Sequence, residues 1–132
     1  MKVAIFMNKK SVYDNVDTVT TEGIRYSGQK IKRSKDALIT NPDNEFYIFR
    51  REKSSGVFTF YGIASKTVIV SERTFESPPV VLFKIEDKKS VKVPSDDTDR
   101  LKYKAGCTKF LRETFDLSLV KNDLIEGIIE MK

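Results

Sequence analysis

Histidine is absent from this chain of 132 residues. With it go the commonest general base, the commonest metal ligand and any Ser-His or Cys-His nucleophile pair. Cysteine occurs once, as Cys107. One thiol forms no intramolecular disulfide, supplies no zinc cage and suits a reducing compartment. Long apolar runs are missing too. Pro78-Pro79-Val80-Val81-Leu82-Phe83 is typical of those present, far short of the ~20 residues that span a membrane. Residues 1–7 lack the roughly 7–15-residue apolar stretch and small-residue cleavage site of a signal peptide. These absences predict an intracellular protein, cytoplasmic or nuclear, with no membrane partner, no metal, no cofactor and no catalytic residues.

What is present is charge and aromatic carbon. Charged residues make up 33% of the chain and apolar ones 39%, with nine Phe and five Tyr to fill a core, a composition that is globular rather than disordered. A chain of this length fits one domain. The formal net charge is +5, and its densest patch runs from Gly23 to Lys35, with Arg25, Lys30, Lys32, Arg33 and Lys35 and no acid. Such clustering attracts phosphate within about a Debye length, ~8 Å at physiological salt. The plain alternative is a solvated basic loop.

Hydrophobic periodicity predicts mostly strands. Residues 2–7 read as the first, followed by a long polar loop over 11–36 with a short strand near residues 16–20. Residues 37–40 read as a strand stopped by Asn41-Pro42-Asp43-Asn44. Residues 46–51 and 57–64 read as a hairpin around Ser54-Ser55-Gly56. On it Phe46, Ile48 and Arg50 alternate with Tyr47 and Phe49, and Phe58 and Phe60 with Thr59, Tyr61 and Ile63. Further strands are expected over 66–72 and 80–86, where Val81, Phe83 and Ile85 face inward and Lys84 outward, with an edge at 91–93. After Pro94 the pattern turns helical. Ser95 caps a helix that Gly106 ends, Thr108 caps a second, and Asn122 a third with Leu124, Ile125, Ile128 and Ile129 on one face. The expected fold is α+β in one domain. A β-dominated antiparallel barrel fills residues 1–94, and a helical extension of two or three helices fills 95–132.

Basic residues that hold phosphates beside aromatics that stack bases are a common way for a sheet to bind nucleic acid. Here the candidates are Arg25, Lys30, Lys32, Arg33, Arg50 and Arg51 for the backbone and Tyr26, Phe60 and Tyr61 for a base. The competing reading is that these aromatics fill the barrel, as strand aromatics usually do. The runs Glu22-Gly23-Ile24-Arg25-Tyr26, Glu45-Phe46-Tyr47-Ile48-Phe49-Arg50-Arg51, Phe58-Thr59-Phe60-Tyr61-Gly62-Ile63-Ala64 and Pro79-Val80-Val81-Leu82-Phe83-Lys84-Ile85 resemble an uncharacterised domain of bacterial defence-type proteins. That domain is found at the C-terminus of fusions between a phospholipase-D-type nuclease and a helicase. The resemblance covers about residues 20–86. It implies a PUA-like or SRA-like barrel and a non-catalytic role in binding DNA, more than RNA, including a modified base.

Two other classes of function compete. Phe46-Tyr47-Ile48, Phe60-Tyr61-Gly62 and Arg73 are similar to the paired strands and downstream Arg of GIY-YIG nucleases, with Glu45 in place of the first glycine. That likeness implies that Tyr61 orients water, Arg73 stabilises phosphate charge and a later Glu holds a metal. Glu86-x-Lys88 with Asp43 also has the form of a PD-(D/E)xK strand, a triplet common by chance in charged chains. The other class is a protein-interaction or self-association module acting through the C-terminal helices, whose mixed charges lack the donors of a recognition helix. Cys107, read as a helix-start residue, has either a lowered thiol pKa or an ordinary place in the core.

Overall fold

The structure, a computed structural model, describes residues 1–8, 18–20, 33–51, 58–72, 74, 79–93, 100–120 and 128–132. The β-branched and aromatic runs become strands: β1 (Lys2–Asn8), β2 (Thr18–Thr20), β3 (Glu45–Arg51), β4 (Phe58–Ser71), β5 (Val80–Lys92) and β6 (Ile128–Met131). Helices α1 (Arg33–Thr40) and α2 (Arg100–Phe115) complete the order. One six-stranded sheet runs β2-β5-β4-β3-β1-β6. It is mixed rather than antiparallel, because β1 and β3 pair in parallel, Lys2 opposite Glu45 through Asn8 opposite Arg51. Parallel neighbours need a crossover, usually helical, and α1 lies in that connection. The sheet curls into a half-barrel whose edge strands do not pair with each other among the described residues.

The expected antiparallel barrel with two or three C-terminal helices is therefore corrected in several places. Residues 37–40 belong to α1. A four-residue apolar run does not distinguish strand from helix, and the deciding contacts are local. The Thr40 hydroxyl donates to the Asp36 carbonyl at 2.7 Å, and the Asn44 side-chain amide donates to the Leu38 carbonyl at 3.0 Å. Asn41-Pro42 then stops the helix, since the residue before proline disfavours the α region.

Near the C-terminus there is one helix among the described residues, not three. Gly106 and Thr108 lie inside α2. An interior glycine costs roughly 1 kcal/mol, less than the burial gained by Cys107 and Leu111, one turn apart and both in the core. The helix ends at Asp116, whose φ of 57° is left-handed, with the Leu117 amide donating back to the Leu111 carbonyl at 3.1 Å.

Where the third helix was expected, Ile128–Met131 is a strand. It pairs antiparallel with β1, Ile5 opposite Ile128. On its other side Ser118 and Lys132 exchange backbone hydrogen bonds at 2.7 and 2.9 Å. Leu124, Ile125 and the proposed cap Asn122 lie outside the described residues, as does the expected hairpin turn at 54–56.

The central part of the sheet is buried on both faces. Val3, Ile5, Phe46, Ile48, Tyr61, Ala64, Val81, Phe83, Ile85 and Ile128 pack under Ile39 of α1. Ala4, Phe6, Tyr47, Phe49, Phe58, Phe60, Ile129 and Met131 pack against Cys107 and Leu111 of α2. Phe46 on β3 and Phe83 on β5 meet edge to face at 4.9 Å across the intervening β4, where the small Ala64 leaves room between them. Two-sided burial also explains β6. Ile128 enters one cluster and Ile129 the other, a pattern that in sequence passes for a helical stripe.

One irregularity re-aims side chains. Against β3, with Phe49 opposite Phe60 and Ile48 opposite Gly62, β4 carries Tyr61 as an extra residue, and Gly62 has φ 150°, a value that favours glycine. Alternation resumes out of phase. Ile63, expected beside Tyr61, packs instead with the Phe60 cluster.

Candidate nucleic-acid interface

Strands β3 and β4 carry four of the candidate residues, and alternation sends them to different places. Phe60 is 0% exposed and stands at the centre of an aromatic cluster. Its ring lies 5.3 Å from Phe49, 5.1 Å from Phe110, 5.3 Å from Phe115 and 6.4 Å from Tyr47. Tyr61, the next residue, is 1% exposed and points into the opposite cluster. Neither ring offers a face to a base. The competing reading of these two aromatics, that they fill the core, fits the geometry.

Arg50 is also drawn inward. It is 7% exposed, and its guanidinium carbon lies 5.4 Å from the centroid of the Tyr61 ring. A cation over a tyrosine face gains about 0.5–2 kcal/mol, more as it is desolvated. Arg50 is opposite Thr59 in the β3–β4 register, so Tyr61 is its diagonal neighbour on the same face. Its charge is thus held inside the fold. Arg51 ends β3 and Arg33 opens α1. Arg25, Tyr26, Lys30 and Lys32 lie outside the described residues. The structure brings Arg50 and Tyr61 together; Phe60 is on the other face of the sheet.

The nuclease likenesses fare no better on geometry. A catalytic tyrosine must reach water and phosphate, and Tyr61 is enclosed. Arg73 lies outside the described residues. Glu86 is on β5 and Asp43 in the turn before β3. Among the described residues no three His, Cys, Asp or Glu side chains gather as a metal site would require. The protein-interaction reading loses the pair of C-terminal helices on which it rested. The exposed side of α2 carries Lys109 and Glu113, whose ion pair of 3.9 Å is of the solvent-exposed i,i+4 kind, worth a few tenths of a kcal/mol. Among the described residues no helix is long and apolar enough to cross a membrane.

Among the described residues two buried groups have altered acidity. The Tyr47 hydroxyl donates to a Glu45 carboxylate oxygen at 2.5 Å; burial first, then that bond and the carboxylate charge, hold its proton well above the usual phenol range. Cys107 is in the body of α2, not at its start, and burial pushes its thiol up to about 12. It is a core residue, not an activated nucleophile.

This carries a pH prediction. The unfolded thiol ionises near its ordinary value of about 8.5, while the folded one keeps its proton until about 12. Between those values the unfolded chain binds fewer protons, so stability falls as pH rises. Urea unfolding from about pH 8 to about pH 11 should show a loss of up to ~1.4 kcal/mol per pH unit from this group. Cys107→Ala should make the decline shallower, leaving the part due to Tyr47. An unchanged slope in that variant would show that the thiol is not held neutral by the fold.

The signal that sequence reasoning passed over is in β4. Val68-Ile69-Val70 was expected to be an ordinary strand, yet all three residues are exposed. Their lack of polar alternation is the feature that marks them.

The chain matches no protein-family model, no curated protein and no solved structure.

Proposed function

We propose that this chain is a non-catalytic nucleic-acid-binding module that grips the backbone of DNA through its basic stretch between Gly23 and Lys35. The observation that carries the reading is the run of Arg25, Lys30, Lys32, Arg33 and Lys35 without an intervening acid, in a chain of net charge +5. Unopposed cations in one segment bind phosphate and release counterions whatever the sequence beneath them. The packing of β3 and β4 narrows the proposal. Phe60 and Tyr61 are enclosed, so neither stacks on a base, and Arg50 is committed to Tyr61. The module therefore holds phosphates and does not read a base with these side chains. Tyr26, within the basic stretch, is the remaining aromatic candidate.

The test is indifference to the base. Equilibrium binding should be measured at one salt concentration against two unrelated duplexes and a third carrying a modified cytosine. The expected result is affinities within about threefold of one another, since phosphate contacts carry no sequence information. A preference beyond about tenfold, ~1.4 kcal/mol, for the modified duplex would overturn the backbone-only reading.

A further inference from the structure

Strand β4 is twice the length of its neighbour β3. The β3 pairing covers Phe58 to Ala64 and stops. From Ser65 to Ser71 the strand pairs with β5 on one side, and among the described residues no strand pairs with the other. Here Val68 is 57% exposed, Ile69 45% and Val70 61%. Val68 and Ile69 pair with consecutive residues of β5 and so point to opposite faces; this half of β4 is exposed on both faces, and its edge is unpaired among the described residues. The contrast with its partner is sharp: Val81, opposite Ile69 on β5, is 0% exposed. An unpaired apolar edge is a template for another strand, and proteins that stay monomeric usually guard one with charge or proline. Within this run the only charges are at its two ends.

Those ends decide the occupant. The segment reads Lys66-Thr67-Val68-Ile69-Val70-Ser71-Glu72. Laid antiparallel against itself with Ile69 at the centre, it sets Lys66 opposite Glu72, Thr67 opposite Ser71, Val68 opposite Val70 and Ile69 opposite Ile69. Every position meets its complement: opposite charges, two hydroxyl residues and β-branched apolar pairs, each favourable across a strand pair. We infer that two copies of this chain join edge to edge through β4, about a twofold axis at Ile69. The interface is isologous, as most homodimers are, and makes one sheet continuous through both copies. Val70 is the extra residue that β4 carries against β5 between Ile69 and Ser71, and a further one falls between Ser65 and Val68; the twofold pairing uses the opposite edge of the strand. The inference does not depend on nucleic-acid binding.

Sedimentation of the full chain from low to high micromolar concentration should show a monomer–dimer equilibrium. Lys66→Glu or Glu72→Lys alone sets two like-charged pairs across the axis and should weaken the dimer about tenfold. The double exchange restores both pairs with reversed sign and should return the affinity to near that of the wild type. A separate probe fixes the register. Opposite residues of antiparallel strands have Cα atoms about 4.5–5.5 Å apart, within disulfide reach. Ile69→Cys should therefore cross-link to its own copy on mild oxidation, while Ser71→Cys, displaced from the axis, should not. A monomer at every concentration, a dimer indifferent to both single charge changes, or cross-linking of Ser71→Cys in preference to Ile69→Cys would each overturn the proposal. The first of these outcomes would leave the edge to a strand from a different protein.

Discussion

Changing Arg25, Lys32 and Arg33 together to Ala is expected to lower affinity for duplex DNA about 10²–10³-fold at 0.1 M salt. The size follows from counterion release. Each cation on a duplex phosphate contributes close to one unit to the slope of log affinity against log salt. Losing about two to three units over the decade between 1 M and 0.1 M salt gives that factor. The three residues lie within the acid-free stretch, and only Arg33 belongs to a described element, as the first residue of α1. A variant that binds as tightly as the wild type would place the phosphate contacts elsewhere or show that there are none.

The second large effect is on folding. Phe60→Ala should destabilise the protein by about 3–5 kcal/mol in urea unfolding, the cost of emptying a large buried site. Phe60 touches the rings of Tyr47, Phe49, Phe110 and Phe115, so its loss removes packing between the sheet and α2 at once. A loss of this size is a large part of the 5–15 kcal/mol that stabilises most domains. Phe60→Leu, which keeps apolar volume, should be milder and should bind DNA like the wild type. Unchanged stability with binding weakened by ~1–3 kcal/mol would instead mark a ring stacked on a base.

Much of the sheet was legible because its strands carry strong local signals. β1, β3 and the inner part of β5 combine β-branched and aromatic residues with alternation, and Val81, Phe83 and Ile85 point inward as the pattern predicts. Topology was not legible. Nothing local tells β1 that its neighbour will be the parallel β3 rather than an antiparallel hairpin partner. The same limit governed the ends. Ile128 and Ile129 are both buried because helices cover both sides of the sheet, and adjacent apolar residues suit a helix face equally well. Gly106 signals a helix end by propensity, but the burial of Cys107 and Leu111 outweighs it.

The candidate site divides along the same line. The cationic run is a sequence property and is read directly. Whether an aromatic stacks on a base or fills a core depends on what covers it. For Phe60 the cover is α2, and for Tyr61 it is the opposite cluster with Arg50. Arg50 looked like a phosphate contact because arginine is usually exposed. Its place on an inward-facing position of β3 put it over a tyrosine ring instead. The exposure of the run in β4 was not legible because a strand without polar alternation normally signals burial, and nothing in the run says that pairing with β3 stops at Ala64.

On the proposed reading, charge in the 23–35 stretch, and not a stacked ring, holds the nucleic acid. Duplex affinity measured over a range of salt concentrations for the wild type and for the Arg25, Lys32, Arg33 triple Ala variant tests it most directly. A steep wild-type line and a variant line flatter by about two to three units are expected. Parallel lines would contradict it.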